Sequence, residues 1–189
     1  MSYLPLIDWA QFLLPWTSSS IGNTKIYAKF LCSHVGLSLC CDDLPLLKFE
    51  DRDINSLIRS LAFASTSDNL QGSAFGYSFS AHELLAILQR LIINPDNFRA
   101  IAQSDLVPSL ISLFVNGSLL VKKMVCNLFW CLMDSPSFVA TVTSCELPLV
   151  DVFSETNEDV DISLLAELML VEIHKILGQR KLTINFVKQ

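Results

Sequence analysis

The 189-residue sequence has few charged residues, few glycines and few prolines for its length. Charged side chains make up 17% of the chain, against roughly 25% in an ordinary soluble domain. There are 6 glycines and 7 prolines, which excludes a disordered tail, a collagen-like chain and a flexible linker. Instead, 51% of the residues are hydrophobic and the mean hydropathy is +0.46. We therefore expect a large core or an exposed apolar face.

Positive charge is especially scarce. The chain has 13 Lys and Arg against 19 Asp and Glu, a net charge of −6, and the basic residues are scattered. Binding to a phosphate backbone requires a concentrated basic surface that releases counterions. We therefore expect no nucleic-acid partner.

The sequence also lacks targeting and membrane-spanning signals. No basic region precedes the N-terminal apolar stretch, and Asp8 interrupts that stretch. The longest uncharged apolar-rich runs, Trp9–Thr24 and Leu106–Val121, contain prolines and fall short of the roughly 20 apolar residues that span a bilayer. The 6 cysteines lack the spacing of a disulfide framework. These features predict a soluble intracellular protein, cytoplasmic or nuclear, with reduced thiols.

Motifs of the common catalytic classes are absent from the sequence. There is no nucleophile elbow, phosphate-binding loop, dinucleotide fingerprint or zinc-protease helix. The nearest constellation, Cys32, His34, Cys40 and Cys41, has neither a Cys-x-x-Cys spacing nor a second pair of ligands. We predict that the protein is not an enzyme and has no cofactor and no metal site. A cysteine-dependent enzyme that uses this cluster is kept as an alternative.

Three apolar segments recur at an offset of forty residues. In each, apolar residues stand at positions i, i+1, i+4 and i+7, which form one stripe of an α-helix. The aligned positions are Leu84, Met124 and Leu164; Leu88, Leu128 and Leu168; and Leu91, Cys131 and Val171. The spacing predicts three helices with buried stripes.

The segments between these helices repeat as well. Phe98–Leu110 aligns with Phe138–Val150, and each is predicted to form a short helix, a bend and a second helix that starts at proline. The short helices would begin at Asn94-Pro95 and Ser135-Pro136. A capping box, Ser80-x-x-Glu83, marks the start of the first long helix. The repeating unit therefore contains three helices.

An earlier copy of the repeat is altered by an insertion. Ile54–Leu61 resembles Val107–Phe114 at an offset of fifty-three, and the extra residues fall around Thr66–Tyr77, which is rich in Gly and Ser. This composition predicts an extended loop. We predict an N-terminal cap or degenerate helical repeat over 1–43, a repeat domain over 44–178 with the inserted loop near 65–78, and a tail over 179–189.

The period near forty, with Asn94–Ile101 as a short first helix, Leu106–Phe114 as a second and a longer third helix, resembles armadillo repeats. The resemblance covers roughly residues 44–178. It implies an all-α, right-handed α-solenoid of about three three-helix repeats, whose third helices line a concave groove for extended peptides. Peptide-binding members of the family carry Trp and, four residues later, Asn on that helix. The corresponding residues here are Ala86, Cys126 and Ala166 for Trp, and Arg90, Trp130 and Leu170 for Asn, so that the family's Asn clamp is missing.

The geometry of the third helices selects a set of groove-facing residues. These are Gln89, Arg90, Phe129, Trp130, Met133, Met169 and Leu170. Aromatic residues, Met and Arg are enriched at binding hot spots. The pattern predicts a protein-protein interaction scaffold that binds a partner helix or peptide. The alternative is that Trp130 and its neighbours belong to the core or are covered by Leu182–Val187.

Two further possibilities concern the ends of the chain. A repeat stack needs capped ends, so a homo-oligomer or a place in a longer repeat array is expected. A peripheral membrane adaptor would use Leu4–Trp16, but basic residues that accompany interfacial helices do not flank that segment. We therefore favour the scaffold without a membrane partner.

Overall fold

The computed structural model describes residues 48–74, 76–144 and, further along the chain, 164, 167, 168, 171–175 and 178. The chain divides into two compact units, 1–104 and 105–189. The bounded elements are α1 (Asp51–Thr66), β1 (Gln71–Ala74), β2 (Tyr77–Ser80), α2 (Ala81–Leu91), α3 (Pro95–Ala102), α4 (Val107–Asn116), α5 (Leu119–Leu132) and α6 (Pro136–Ser144). The described residues between 164 and 178 are also helical. The fold is therefore mainly α, as predicted, with one small sheet in addition.

Helix α1 organises the described part of the first unit. Its buried apolar residues recur with helical spacing and form one face, which comprises Ile54, Leu57, Ile58, Leu61 and Ala64. This helix packs against β1, α2 and α3. Its opposite side is exposed to solvent.

The segment predicted as an extended loop forms a β-hairpin. Strands β1 and β2 pair antiparallel, with Gly72 opposite Phe79 and Ala74 opposite Tyr77. Only two residues separate the paired ends, and Gly76 has a positive φ of 82°, a conformation that glycine adopts without a steric penalty. The hairpin forms because Gly72, Ala74 and Phe79 are buried, so that a short sheet has a covered face.

The start signals of α2 and α3 act as predicted. Ser80 Oγ accepts a hydrogen bond from the Glu83 amide, and the Glu83 carboxylate accepts one from the Ser80 amide, which completes the capping box. Helix α2 ends at Leu91. Asn94 caps α3 by accepting hydrogen bonds from the amides of Asp96 and Asn97.

Buried Asn97 fixes the chain that leads into α1. Its side-chain oxygen accepts a hydrogen bond of 2.8 Å from the backbone amide of Phe49. Both residues are buried, and a buried amide costs free energy unless it is paired. This bond therefore joins the entry of α1 to the first turn of α3.

In the second unit, α4 and α5 pack together. Helix α4 has Pro108 in its first turn, and Ser118 caps α5 by accepting a hydrogen bond from the Val121 amide. The rings of Phe129 and Phe138 meet edge to face with 5.1 Å between their centroids, an arrangement favoured by aromatic quadrupoles. Both rings are buried, so they form part of this unit's core.

None of the described helices is by itself both long enough and apolar enough to cross a bilayer. Helices α3 and α4 meet the length and composition required only when they are counted together.

Candidate partner-binding surface

One side of α5 is exposed and carries large apolar side chains. The cap at Ser118 sets the helix start, and the buried stripe that follows consists of Val121, Val125, Leu128 and Leu132. The residues on the opposite side stand at i, i+7, i+10 and i+11, which share one face of a helix. They are Leu120, Asn127, Trp130 and Cys131, and all four are exposed. We refer to these four residues as the α5 face.

The two adjacent aromatic residues of α5 have opposite environments. Trp130 is 46% exposed, whereas Phe129 is 1% exposed and packs on Phe138. The sequence pattern predicts that both face a groove. Phe129 is a core residue in this structure, because neighbouring positions on an α-helix point about 100° apart. Trp130 is therefore the exposed aromatic side chain of this pair.

Polar chemistry accompanies the tryptophan. Asn127 lies one turn before Trp130 and is exposed, and its amide supplies two donors and an acceptor. Partial burial, followed by the charge of Asp134, raises the pKa of the Cys131 thiol. Burial also raises the pKa of Cys126 to about 11. Both thiols therefore remain protonated near neutral pH, which suits a packing or contact role better than a nucleophilic one.

The remaining predicted groove residues are less exposed or lie elsewhere. Gln89 and Arg90 on α2 are half-buried, as is Met133 just after α5. Arg90 donates a hydrogen bond of 3.3 Å to the Ala86 carbonyl, and burial lowers its pKa. Met169 and Leu170 lie outside the described residues.

Near the start of α5, the structure exposes three apolar residues that the sequence does not single out. Val115 at the end of α4 and Leu119 and Leu120 at the start of α5 are all exposed. The Ser118 cap fixes where α5 begins, and therefore which residues of its first turn face the core. It places Val121 in the buried stripe and leaves Leu119 and Leu120 outside it, so this local signal could have identified these two residues as exposed. All three residues add exposed apolar side chains to the end of α4 and the start of α5.

A polar cleft of about 400 Å³ lies beside the entry to α1 in the first unit, and Lys48, Asn55, Asp96 and Arg99 are among its lining residues. Lys48 Nζ donates to Asp96 Oδ2 at 2.6 Å. The hydrogen bond and charge of Lys48, with a smaller effect of Arg99, lower the Asp96 pKa. Asp96 is therefore held as a carboxylate, which does not suit general acid catalysis near neutral pH.

No family model, no curated protein and no solved structure matches this chain. Within residues 48–144 and the described positions beyond them, no group of three or more His, Cys, Asp or Glu side chains is placed to hold a metal ion. The cluster of Cys32, His34, Cys40 and Cys41 lies outside the described residues. The α5 face is therefore interpreted from its own chemistry.

Proposed function

We propose that this protein is a non-catalytic interaction module in which armadillo-like repeats form a right-handed α-solenoid, and that the α5 face binds a helix or extended peptide of a partner protein. The helix order supports the repeat. Short α3 with an Asn cap and proline is followed by α4, then by the longer α5, and α6 begins again at Pro136. This is the order that the forty-residue repeat predicts.

The exposure of Trp130 carries the proposal. A tryptophan that remains 46% exposed leaves a large apolar surface in water, and burial of such a surface by a partner is favourable. Tryptophan is also among the residues that most often dominate binding energy. The nearby Asn127 amide can hydrogen-bond to the backbone of the partner chain.

The proposal extends to the partner and the compartment. The partner is a protein or peptide, with no nucleic acid, cofactor or metal involved. Cys126 and Cys131 are free thiols, which favours a reducing compartment such as the cytoplasm or nucleus.

The test compares proteins captured from cell extract by the wild type and by single variants. Trp130→Ala and Asn127→Ala should lose the same set of partners, with affinity for an identified partner at least about tenfold weaker for Trp130→Ala. His82→Ala changes an exposed residue on α2 and serves as the control. If the folded Trp130→Ala variant retains every partner at wild-type affinity, the assignment of the α5 face is wrong.

A further inference from the structure

A second cleft, of about 410 Å³, lies in the first unit between the exposed side of α1 and strand β1. Its lining residues are Arg52, Ser56, Arg59, Ser60, Phe63 and Ser73. We call it the α1–β1 cleft. Four of the α1 residues stand at i, i+4, i+7 and i+11, so they share one helix face. The cleft lies within one unit and shares no residue with the α5 face.

The charge of the cleft favours an anionic ligand. Arg52 Nε lies 3.0 Å from Glu50 Oε2 and 3.6 Å from Asp53 Oδ1, so its charge is largely neutralised. Within the part of the chain that the structure describes, Arg59 makes no ion pair. An exposed guanidinium of this kind pairs well with a carboxylate, because its two donors match the two oxygens.

An apolar contact lies one helical turn from that charge. Phe63 is 65% exposed, and four residues of α-helix separate it from Arg59 by about 6 Å along the axis. Alternate residues of an extended chain are about 6.6 Å apart on the same side. A carboxylate and an apolar side chain two residues apart therefore match Arg59 and Phe63.

Strand β1 offers an open hydrogen-bonding edge at this cleft. The Ala81 amide donates to the Leu70 carbonyl, so Leu70 and Ala81 form a hydrogen-bonded pair. Gln71 and Ser80 form the next pair of the register. Because hydrogen-bonded and non-hydrogen-bonded pairs alternate in an antiparallel ladder, the backbone groups of Gln71 and Ser73 point away from β2. The backbone groups of Gln71 are already paired, because Ser67 Oγ donates a hydrogen bond to the Gln71 carbonyl and accepts one from the Gln71 amide.

The corresponding groups of Ser73 have no such partner among the described residues, and Ser73 lines the cleft. An exposed strand edge of this kind can pair with an extended peptide.

We propose that the α1–β1 cleft binds an extended acidic segment of a partner protein. The segment adds beside β1 through the backbone of Ser73, pairs a carboxylate with Arg59 and places an apolar side chain, two residues away, on Phe63. The charge of Arg59 selects an acidic segment over a neutral one. This site is independent of the α5 face, so either proposal can fail without the other.

The test uses the full chain and an acetylated, amidated heptapeptide, Ser-Thr-Glu-Thr-Leu-Thr-Ser, with a control peptide that has Gln in place of Glu. Binding is followed by amide NMR shifts, and hydrogen exchange at Ser73 reports pairing of its amide. We expect shifts along α1 and β1, slower exchange at Ser73 and at least about fivefold weaker binding of the Gln peptide.

Variants separate the three contacts. Arg59→Glu should weaken binding at least about tenfold, whereas Arg99→Glu makes the same charge change outside the cleft and should have little effect. Phe63→Ala should weaken binding without unfolding, because the ring is largely exposed. Ser73→Pro removes an amide that the hairpin ladder does not use, so it should weaken binding while the Phe79 amide stays protected.

Three results would overturn the proposal. One is equal binding of the Glu and Gln peptides. Another is binding that leaves exchange at Ser73 and the affinity of Ser73→Pro unchanged, because the peptide would then not pair with β1. The third is self-association of the chain that Arg59→Glu abolishes in sedimentation, with no peptide binding, because a second copy would then occupy the cleft.

Discussion

The close approach of β1 to α1 predicts that Gly72→Ala destabilises the first unit. A methyl group on Gly72 would overlap the carbonyl oxygen of Ser60 and would lie 2.5 Å from Ser60 Oγ and 2.8 Å from its carbonyl carbon. Carbon atoms in contact normally stand about 3.5–4.0 Å apart. The obstruction is mainly backbone, so a side-chain rotation cannot relieve it, and β1 must move away from α1.

The size of the effect follows from two opposing contributions. Overpacking a close contact costs about 1–3 kcal/mol. Replacing Gly by Ala returns about 0.4–1 kcal/mol by restricting the unfolded chain. The net loss should be about 1.5 kcal/mol, which corresponds to roughly tenfold more frequent opening of the hairpin.

Urea unfolding followed by circular dichroism and hydrogen exchange at the Phe79 amide measure this loss. The urea midpoint should fall by about 0.5–1.5 M for an ordinary denaturant slope. Ser73→Ala, on the exposed side of the same strand, should remain within about 0.5 kcal/mol of the wild type. The reasoning is refuted if Gly72→Ala is as stable as the wild type, or if Ser60→Ala fully restores it, since that change leaves the carbonyl in place.

Three more predictions concern single groups. Ser80→Ala removes the capping box with Glu83 and should lower the free energy of unfolding by about 1 kcal/mol; an unchanged urea midpoint would contradict the role of the cap. Lys48→Met should raise the pKa of Asp96 toward its usual value, because the hydrogen bond and charge of Lys48 lower it. A carboxyl NMR titration checks this. In the wild type, the stabilisation of the folded state by the Lys48–Asp96 pair is present above the unfolded-state pKa of Asp96, and it is lost as the pH falls through the lower pKa of Asp96 in the folded state. Cys126, with its pKa raised to about 11 by burial, should react with iodoacetamide at pH 8 only on unfolding; peptide mapping that shows rapid labelling of the native protein would contradict this.

The helix starts were predictable because their signals are local. The capping box of Ser80 and Glu83 and the cap at Asn94 each depend on residues within one turn, and both form in the structure. Their chemistry needs no knowledge of the tertiary fold. The buried hydrogen bond from the Phe49 amide to the Asn97 side chain joins residues 48 positions apart, so no local sequence pattern predicts it.

The hairpin was predicted as a loop because its strands lack the usual composition. Residues 71–80 are rich in Ser and Gly, which are poor strand formers by themselves. Strand β1 forms here because α1 covers it, and Gly72 permits an approach that a side chain would block. The contact with α1, which is a tertiary interaction, therefore decides that these residues form a strand. This β-structure lies in the segment that the sequence analysis interprets as an insertion.

The α5 face, the proposed binding surface, was predictable only in part for a similar reason. The apolar pattern of α5 shows that it has a buried stripe, but assigning both Phe129 and Trp130 to a groove requires the rotation of the helix to be known. The structure buries Phe129 against Phe138 and exposes Trp130. The ring that decides this belongs to Phe138 of α6, which lies outside the helix that carries the pattern.

The third of the aligned apolar segments differs from the first in the burial of its equivalent residues. Leu84, Leu88 and Leu91 are fully buried, as predicted. Their counterparts at an offset of eighty, Leu164, Leu168 and Val171, are exposed, so the prediction of a buried stripe is wrong for the third segment. The same helical spacing produces both stripes, so the pattern fixes which residues line up and leaves open which element covers them. An uncovered stripe of three large apolar residues is unfavourable in water. In a repeat stack, each copy buries its stripe against a neighbour. The proposed solenoid therefore explains why the first stripe is buried and the third is exposed only if another surface covers the third stripe.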